Sequence, residues 1–278
     1  MKKRFHHIYI EITNRCNLSC SFCPKTKREI MDMSYENFCY IVDQVKEYTD
    51  MIYLHVMGEP LLNKDVEKMI RYANSKELMV GITTNGVLLN KYVDMFHDMK
   101  IKRINLSLHS YYDVNNQLNN QLEKTVNSCN QILEQIETTI FYRLWDMDHP
   151  KAIETAEYLK EHYKCDDISL LYTSLNGILL KHRVRLHLEH KFTWPIDGEN
   201  DGVEGFCQGL RSHVAILVNG DVVPCCLDNE GNMKLGNCLS DSFKNCIESK
   251  LAKVIYDGFS SRKAITSLCK QCEYKNRF

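Results

Sequence analysis

The sequence predicts an α/β fold, a partial (β/α)6 barrel over residues 1–190 followed by a small C-terminal domain over 191–278. Three observations predict it. Short β-branched runs alternate with amphipathic stretches over the first two-thirds of the chain. The runs carry apolar residues on one face and polar, small or aromatic residues on the other. Cysteines recur in short spacings at both ends of the chain.

Six strands are expected, near 8–13, 51–57, 79–84, 103–109, 138–146 and 167–173. The stripe Phe38, Ile41, Val42 and Val45 predicts a helix N-capped by Ser34. Further helices follow from Val66, Met69, Ile70 and Ala73, and from Leu122, Val126, Cys129, Leu133 and Ile136. Ile8, Ile10, Ile12, Ile52, Leu54, Val56, Val80, Ile82, Ile104, Leu106 and Leu108 form the strand face that packs on helices. The other face carries Tyr9, Glu11 and Thr13, then Tyr53, His55 and Met57, then Asn105, Ser107 and His109, then Phe141, Arg143 and Trp145. A closed barrel fills its interior with Val, Ile and Leu, so this face reads as the lining of an open, partly wet cavity. A doubly wound sheet with buried polar networks is the alternative. From 174 to 206 the pattern lapses into a connection, and the second domain then opens with a hairpin turning at Asn219-Gly220 and a helix near 241–256.

Composition narrows the function. Thirty-five basic against thirty-six acidic residues leave no field to collect nucleic acid or an anionic membrane. No apolar run reaches signal-peptide or membrane-span length, so a cytoplasmic protein is expected. Thirteen cysteines without an export signal point to reduced, metal-binding thiolates rather than disulfides.

Cys16, Cys20 and Cys23 stand within eight residues just after the first strand. Close-spaced thiolates select zinc or iron-sulfur clusters. Three of them leave one iron of a 4Fe-4S cluster open to a further ligand. This C-x3-C-x2-C spacing after IYIEITNRCNL resembles the radical S-adenosylmethionine (SAM) superfamily, and Met57-Gly58-Glu59-Pro60 resembles its Gly-Gly-Glu-Pro motif with Met57 in place of the first glycine. The resemblance implies SAM and a SAM-binding 4Fe-4S cluster as cofactors. It also implies SAM contacts from Phe22, Gly58, Glu59, Ser107 and Arg143.

Cys207, Cys225, Cys269 and Cys272 supply a second ligand set, with Cys226 as the alternative to Cys225 and a zinc ribbon as the alternative to iron. Together with GDVVPCCLD and LGN they resemble the twitch form of the SPASM appendage, which implies one auxiliary 4Fe-4S cluster. Cys39, Cys129 and Cys165 read as small buried apolar residues.

The inward residues not assigned to SAM are Glu11, His55, Asn105, His109 and Trp145, expected to bind a small polar substrate. The first strand begins by residue 8, which favours a small molecule over a ribosomal peptide. The chain as a whole is similar to queuine lyase, which implies release of 7-aminomethyl-7-deazaguanine from queuine, with Glu11, then Asp146 or Glu189, accepting from the base. A twitch-type dehydrogenase of amino-cyclitols, a peptide-modifying SPASM enzyme and a non-enzymatic iron-sulfur redox protein are the alternatives. A flavodoxin- or ferredoxin-type protein is the expected electron donor.

Overall fold

The computed structural model describes residues 3–112, 120–145, 147–165, 177–190, 193–195 and 202–277. The chain forms two compact units, one of Met1–Asn17, Pro24–Met79 and Phe192–Phe278, the other of Leu18–Cys23 and Val80–Lys191.

In the first unit β1 (His7–Ile10) alternates half-buried and buried residues, as period-2 patterning requires. Ile8 and Ile10 are fully buried. The helix α1 (Tyr35–Val45) begins where the Ser34 side chain accepts from the Asn37 N–H at 3.1 Å, and it buries Phe38, Ile41, Val42 and Val45. The strand β2 (Met51–Tyr53) pairs parallel to β1, placing Ile8 beside Ile52, and α2 (Val66–Ser75) buries Val66, Met69, Ile70 and Ala73.

The second unit is built on β3 (Met79–Thr84), β4 (Ile101–Ser107), α3 (Gln121–Gln135), β5 (Thr139–Trp145) and α4 (Pro150–Tyr163). Its strands run in the order β3, β4, β5, then β7 (Val184–Glu189) and β6 (Ile178–Lys181), all parallel except the β6–β7 pair. Here the structure corrects the sequence reading. The stretch after 174, read as a connection, contains a hairpin whose turn has Arg183 in the left-handed region at φ 64°. The alternation of Val184, Leu186 and Leu188, all buried, with Arg185, His187 and Glu189 makes β7 the parallel partner of β5. The strand expected at 167–173 lies outside the described residues.

The C-terminal part of the first unit adds β8 (His213–Ile216), parallel to β1, and then β9 (Asp221–Val223) and β10 (Gly236–Asn237), both antiparallel to their neighbours. The β8–β9 turn falls at Asn219-Gly220, with Gly220 at φ 88°, as the hairpin reading requires. The single helix expected near 241–256 is two, α5 (Phe243–Ile247) and α6 (Lys250–Ser260), because Ser249 stands in extended geometry and accepts from the Ala252 N–H as a new N-cap. A last short helix, α7 (Ser267–Gln271), carries Cys269. Among the described residues no helix is long and apolar enough to cross a membrane.

Candidate active site and iron-sulfur centres

The segment that carries Cys16 leaves β1 and is held at its base by hydrogen bonds to residues 28–33. Residues 28–33 return alongside 11–15. Met33 N–H donates to Ile12 O at 2.9 Å, and Asn14 both accepts from Met31 N–H and donates to Glu29 O at 2.8 Å. The Thr13 hydroxyl donates to Asp32 at 2.6 Å, and Arg15 lies 3.2 Å from the same carboxylate. Glu11, wholly buried, takes both arms of Arg28 at 2.7 and 2.8 Å.

Met57-Gly58-Glu59 lies directly against this base. Gly58 has φ 76°, and a Cβ there would stand 2.5 Å from Thr13 O and 2.7 Å from Arg15 O. Only glycine fits this backbone-on-backbone contact. The Glu59 N–H donates to Arg15 O at 2.7 Å, and the buried Glu59 carboxylate accepts from Leu61 N–H at 3.1 Å, capping the short turn that follows. Gly58 and Glu59 are thereby fixed against the residues that precede Cys16, which suits a loop presenting thiolates to a cluster beside a SAM-binding turn.

Cys20 and Cys23 belong to the second unit, where the Cys23 N–H donates to Cys20 O at 3.3 Å. In that unit an aromatic stack joins four residues that the sequence divided between cofactor and substrate. Phe22 meets the His109 ring edge-on at 4.8 Å, His109 stacks on Trp145 at 4.6 Å with planes 8° apart, and the Arg143 guanidinium lies 4.4 Å from the Trp145 ring centre. The Nδ1–H of His109 donates to Arg143 O at 3.2 Å, the only sense a carbonyl allows. Burial, with the positive charge of Arg143 adding to it, lowers the His109 pKa to about 3, so the ring is neutral.

The strand register aligns the inward residues in rows. Thr83, Asn105, Phe141 and Arg185 form one, Ser107, Arg143 and His187 the next, and Trp145 and Glu189 the last. Arg185, His187 and Glu189 join the lining through β7. The signal for them was the V-R-L-H-L-E alternation.

Other expected contacts are spent on the protein itself. Glu11, expected to meet substrate, accepts from Met57 N–H at 3.0 Å and Val218 N–H at 2.9 Å besides Arg28, four hydrogen bonds that match the capacity of a carboxylate. Asn105 accepts from Arg103 Nε at 2.7 Å and donates to Thr83 at 3.1 Å. His55 packs edge-on against Tyr9 at 5.2 Å and Tyr53 at 5.9 Å, in a cluster with His7 and His213 within the first unit. Asp146 lies outside the described residues.

In the C-terminal part of the first unit Cys207, Cys225, Cys269 and Cys272 line one cavity with Leu227, Met233, Phe259 and Leu268. Burial raises all four thiols, Cys269 to about 12 and Cys272 to about 11, so a metal must displace their protons. Four thiols around an apolar space fit a 4Fe-4S cluster. Cys226 does not line the cavity, and Cys238 and Cys246 are buried elsewhere, where a Cβ on Gly236 would strike the Cys246 sulfur at 2.7 Å.

The radical SAM superfamily profile matches residues 10–177, and that of SPASM, an iron-sulfur cluster-binding domain, matches 207–273. A GTP 3',8-cyclase of Staphylococcus carnosus is 30% identical over 152 residues, 47% of this chain and 41% of its own length. A probable GTP 3',8-cyclase of Methanosarcina mazei is 27% identical over 275 residues, 83% of this chain and 80% of its own. The first match therefore spans less than half of that relative. Among solved structures, BtrN in complex with AdoMet and 2-DOIA superposes with TM-score 0.57 at 18% identity, covering 98% of this chain and 94% of that one. Streptococcus suis SuiB bound to precursor peptide SuiA gives TM-score 0.62 at 17% identity, covering 97% and 71%. At such identities the likeness is one of fold, the partial barrel expected from the sequence.

Proposed function

Because this chain belongs to the radical SAM superfamily, with SAM, a 4Fe-4S cluster and further iron-sulfur in its SPASM domain as its cofactors, we propose that it abstracts hydrogen from a small, polar, ring-shaped substrate, with queuine as the first candidate. The observation that carries this is the Phe22–His109–Trp145–Arg143 stack beside a polar strand face. Cys16, Cys20 and Cys23 hold the SAM cluster. Bound there, reduced cluster and SAM together supply a 5'-deoxyadenosyl radical and methionine.

The chain's own residues do the rest. Phe22 packs on the adenine, Gly58 and Glu59 grip the amino group, and Ser107 and Arg143 serve the carboxylate and ribose region. Neutral His109, which braces Phe22, and Trp145, which lies against Arg143, offer their rings to the substrate. Packed aromatic walls exclude water and hold one substrate hydrogen in line. With Glu11 committed elsewhere, Glu189 takes the part of the carboxylate that accepts from a deazaguanine edge, since it stands beside Trp145 in the β5–β7 register. Cys207, Cys225, Cys269 and Cys272 hold one auxiliary cluster, fully protein-ligated and so an electron carrier or brace. A flavodoxin- or ferredoxin-type protein delivers the electron.

A dehydrogenase of amino-cyclitols is the second reading, favoured by the near-complete mutual coverage with BtrN. Anaerobic protein, SAM and reductant are offered queuine, 2-DOIA or GTP in parallel and the products weighed by mass spectrometry. Queuine turnover to 7-aminomethyl-7-deazaguanine with 5'-deoxyadenosine supports the lyase. Turnover of 2-DOIA or GTP with queuine inert refutes it.

A further inference from the structure

Glu11 is wholly buried and accepts four hydrogen bonds from three separate segments. Arg28, whose side chain is 14% exposed, meets it in the paired geometry that a guanidinium and a carboxylate share. Arg28 lies five residues beyond Cys23, Met57 begins the Gly58-Glu59 turn, and Val218 follows β8 in the SPASM domain. One carboxylate therefore holds the return of the cluster loop, the turn proposed to grip SAM, and the first strand of the auxiliary domain.

We infer that Glu11 and Arg28 are a positioning pair that sets the SAM-binding turn against the base of the cluster loop, rather than substrate-binding residues. The Met57 amide is the link. It is adjacent to Gly58, whose packing leaves no space between the turn and Thr13 or Arg15, so a displaced Met57 carries Gly58 and Glu59 with it. The fixed base also orders the loop ends ahead of metal binding, which lowers the entropy lost when the thiolates close on a cluster. Bidentate geometry is essential because a lysine ammonium is a point donor and cannot hold both oxygens in the plane that Met57 and Val218 address.

This inference rests on the radical SAM reading of the same loop, and the experiment separates the two. Arg28→Lys and Glu11→Gln are prepared anaerobically with iron reconstituted, and read by melting temperature, iron content, SAM dissociation constant and the EPR signal of the reduced SAM cluster with and without SAM. For Arg28→Lys the expected result is wild-type iron and melting within a few degrees, with SAM affinity about tenfold weaker and a broadened SAM-induced change in the EPR signal. Glu11→Gln, which turns an amide donor toward a buried guanidinium, should show the same defect in greater degree. Wild-type SAM affinity and EPR response in an iron-loaded Arg28→Lys protein would overturn the inference. So would loss of the fold in Arg28→Lys, because the pair would then be a structural brace with no bearing on SAM. Wild-type protein that takes up no cluster and cleaves no SAM would instead sink the underlying functional reading.

Discussion

Replacing Gly58 with Ala tests how closely the SAM-binding turn must lie on the strand before Cys16. At φ 76° an L residue bears a left-handed backbone penalty of about 1–2 kcal/mol. The added Cβ would sit 2.5, 2.7 and 2.9 Å from Thr13 O, Arg15 O and Asn14 C, all backbone atoms of a segment tied to residues 28–33, so no side chain can swing away. Overpacking of this kind costs roughly 1–3 kcal/mol more, and the sum of about 2–5 kcal/mol corresponds to a melting shift of about 3–9 °C for a chain of 278 residues. Relief by opening the turn would break the 2.7 Å Glu59 N–H to Arg15 O bond, so SAM affinity should fall as well. Gly202→Ala is the control: it also has positive φ, at 107°, but a Cβ there meets nothing within 4 Å, so only the backbone penalty applies. Differential scanning calorimetry of iron-loaded protein and SAM titration read the two effects. If Gly58→Ala melts within about 2 °C of wild type and binds SAM as tightly, the argument from packing is wrong.

Anaerobic protein should hold about eight irons, and replacing Cys16, Cys20 and Cys23 together by Ala should leave about four and abolish SAM cleavage, measured by iron assay and 5'-deoxyadenosine release. Cys225→Ala should lose the auxiliary irons while Cys226→Ala keeps them, because Cys225 and not Cys226 lines the cavity with Cys207, Cys269 and Cys272. Arg143→Ala and Glu59→Ala should each weaken SAM binding by about 2–5 kcal/mol with iron retained, since each leaves a charged end of the ligand unpaired; unchanged affinity in both would misplace the SAM site. Folding stability should fall as pH drops from 6.5 toward 3. His109 binds its proton only near 3 when folded but near 6.5 when unfolded, so the unfolded chain holds more protons in that window. The slope from His109 is at most about 1.4 kcal/mol per pH unit. Denaturant titrations of His109→Phe should show that part of the slope gone and the part due to His213, lowered by burial to about 4, remaining.

What the sequence determined by itself was whatever has a short period or a short spacing. The apolar strand face from Ile8 to Leu108 is buried as the alternation required, and the stripes of α1 and α2 face inward. Ser34 caps where it was expected to, and three cysteines within eight residues beside Met57-Gly58-Glu59-Pro60 were enough to suggest the family. Each of these is local: a pleat, a helical turn or a loop enforces it, whatever the rest of the chain does. The β7 strand was legible too, in the alternation around His187, but His and Arg on its inward face gave it the look of a connection. Tertiary structure alone decided what the inward polar residues do. Glu11 reads as a free carboxylate on a cavity wall, yet its partners lie 17, 46 and 207 residues away. His109 and Trp145 are 36 positions apart and become one stack only when β4 and β5 pair. A side chain's direction follows from strand period, but its hydrogen-bond partners follow from which distant segments are brought alongside, and no local pattern encodes that.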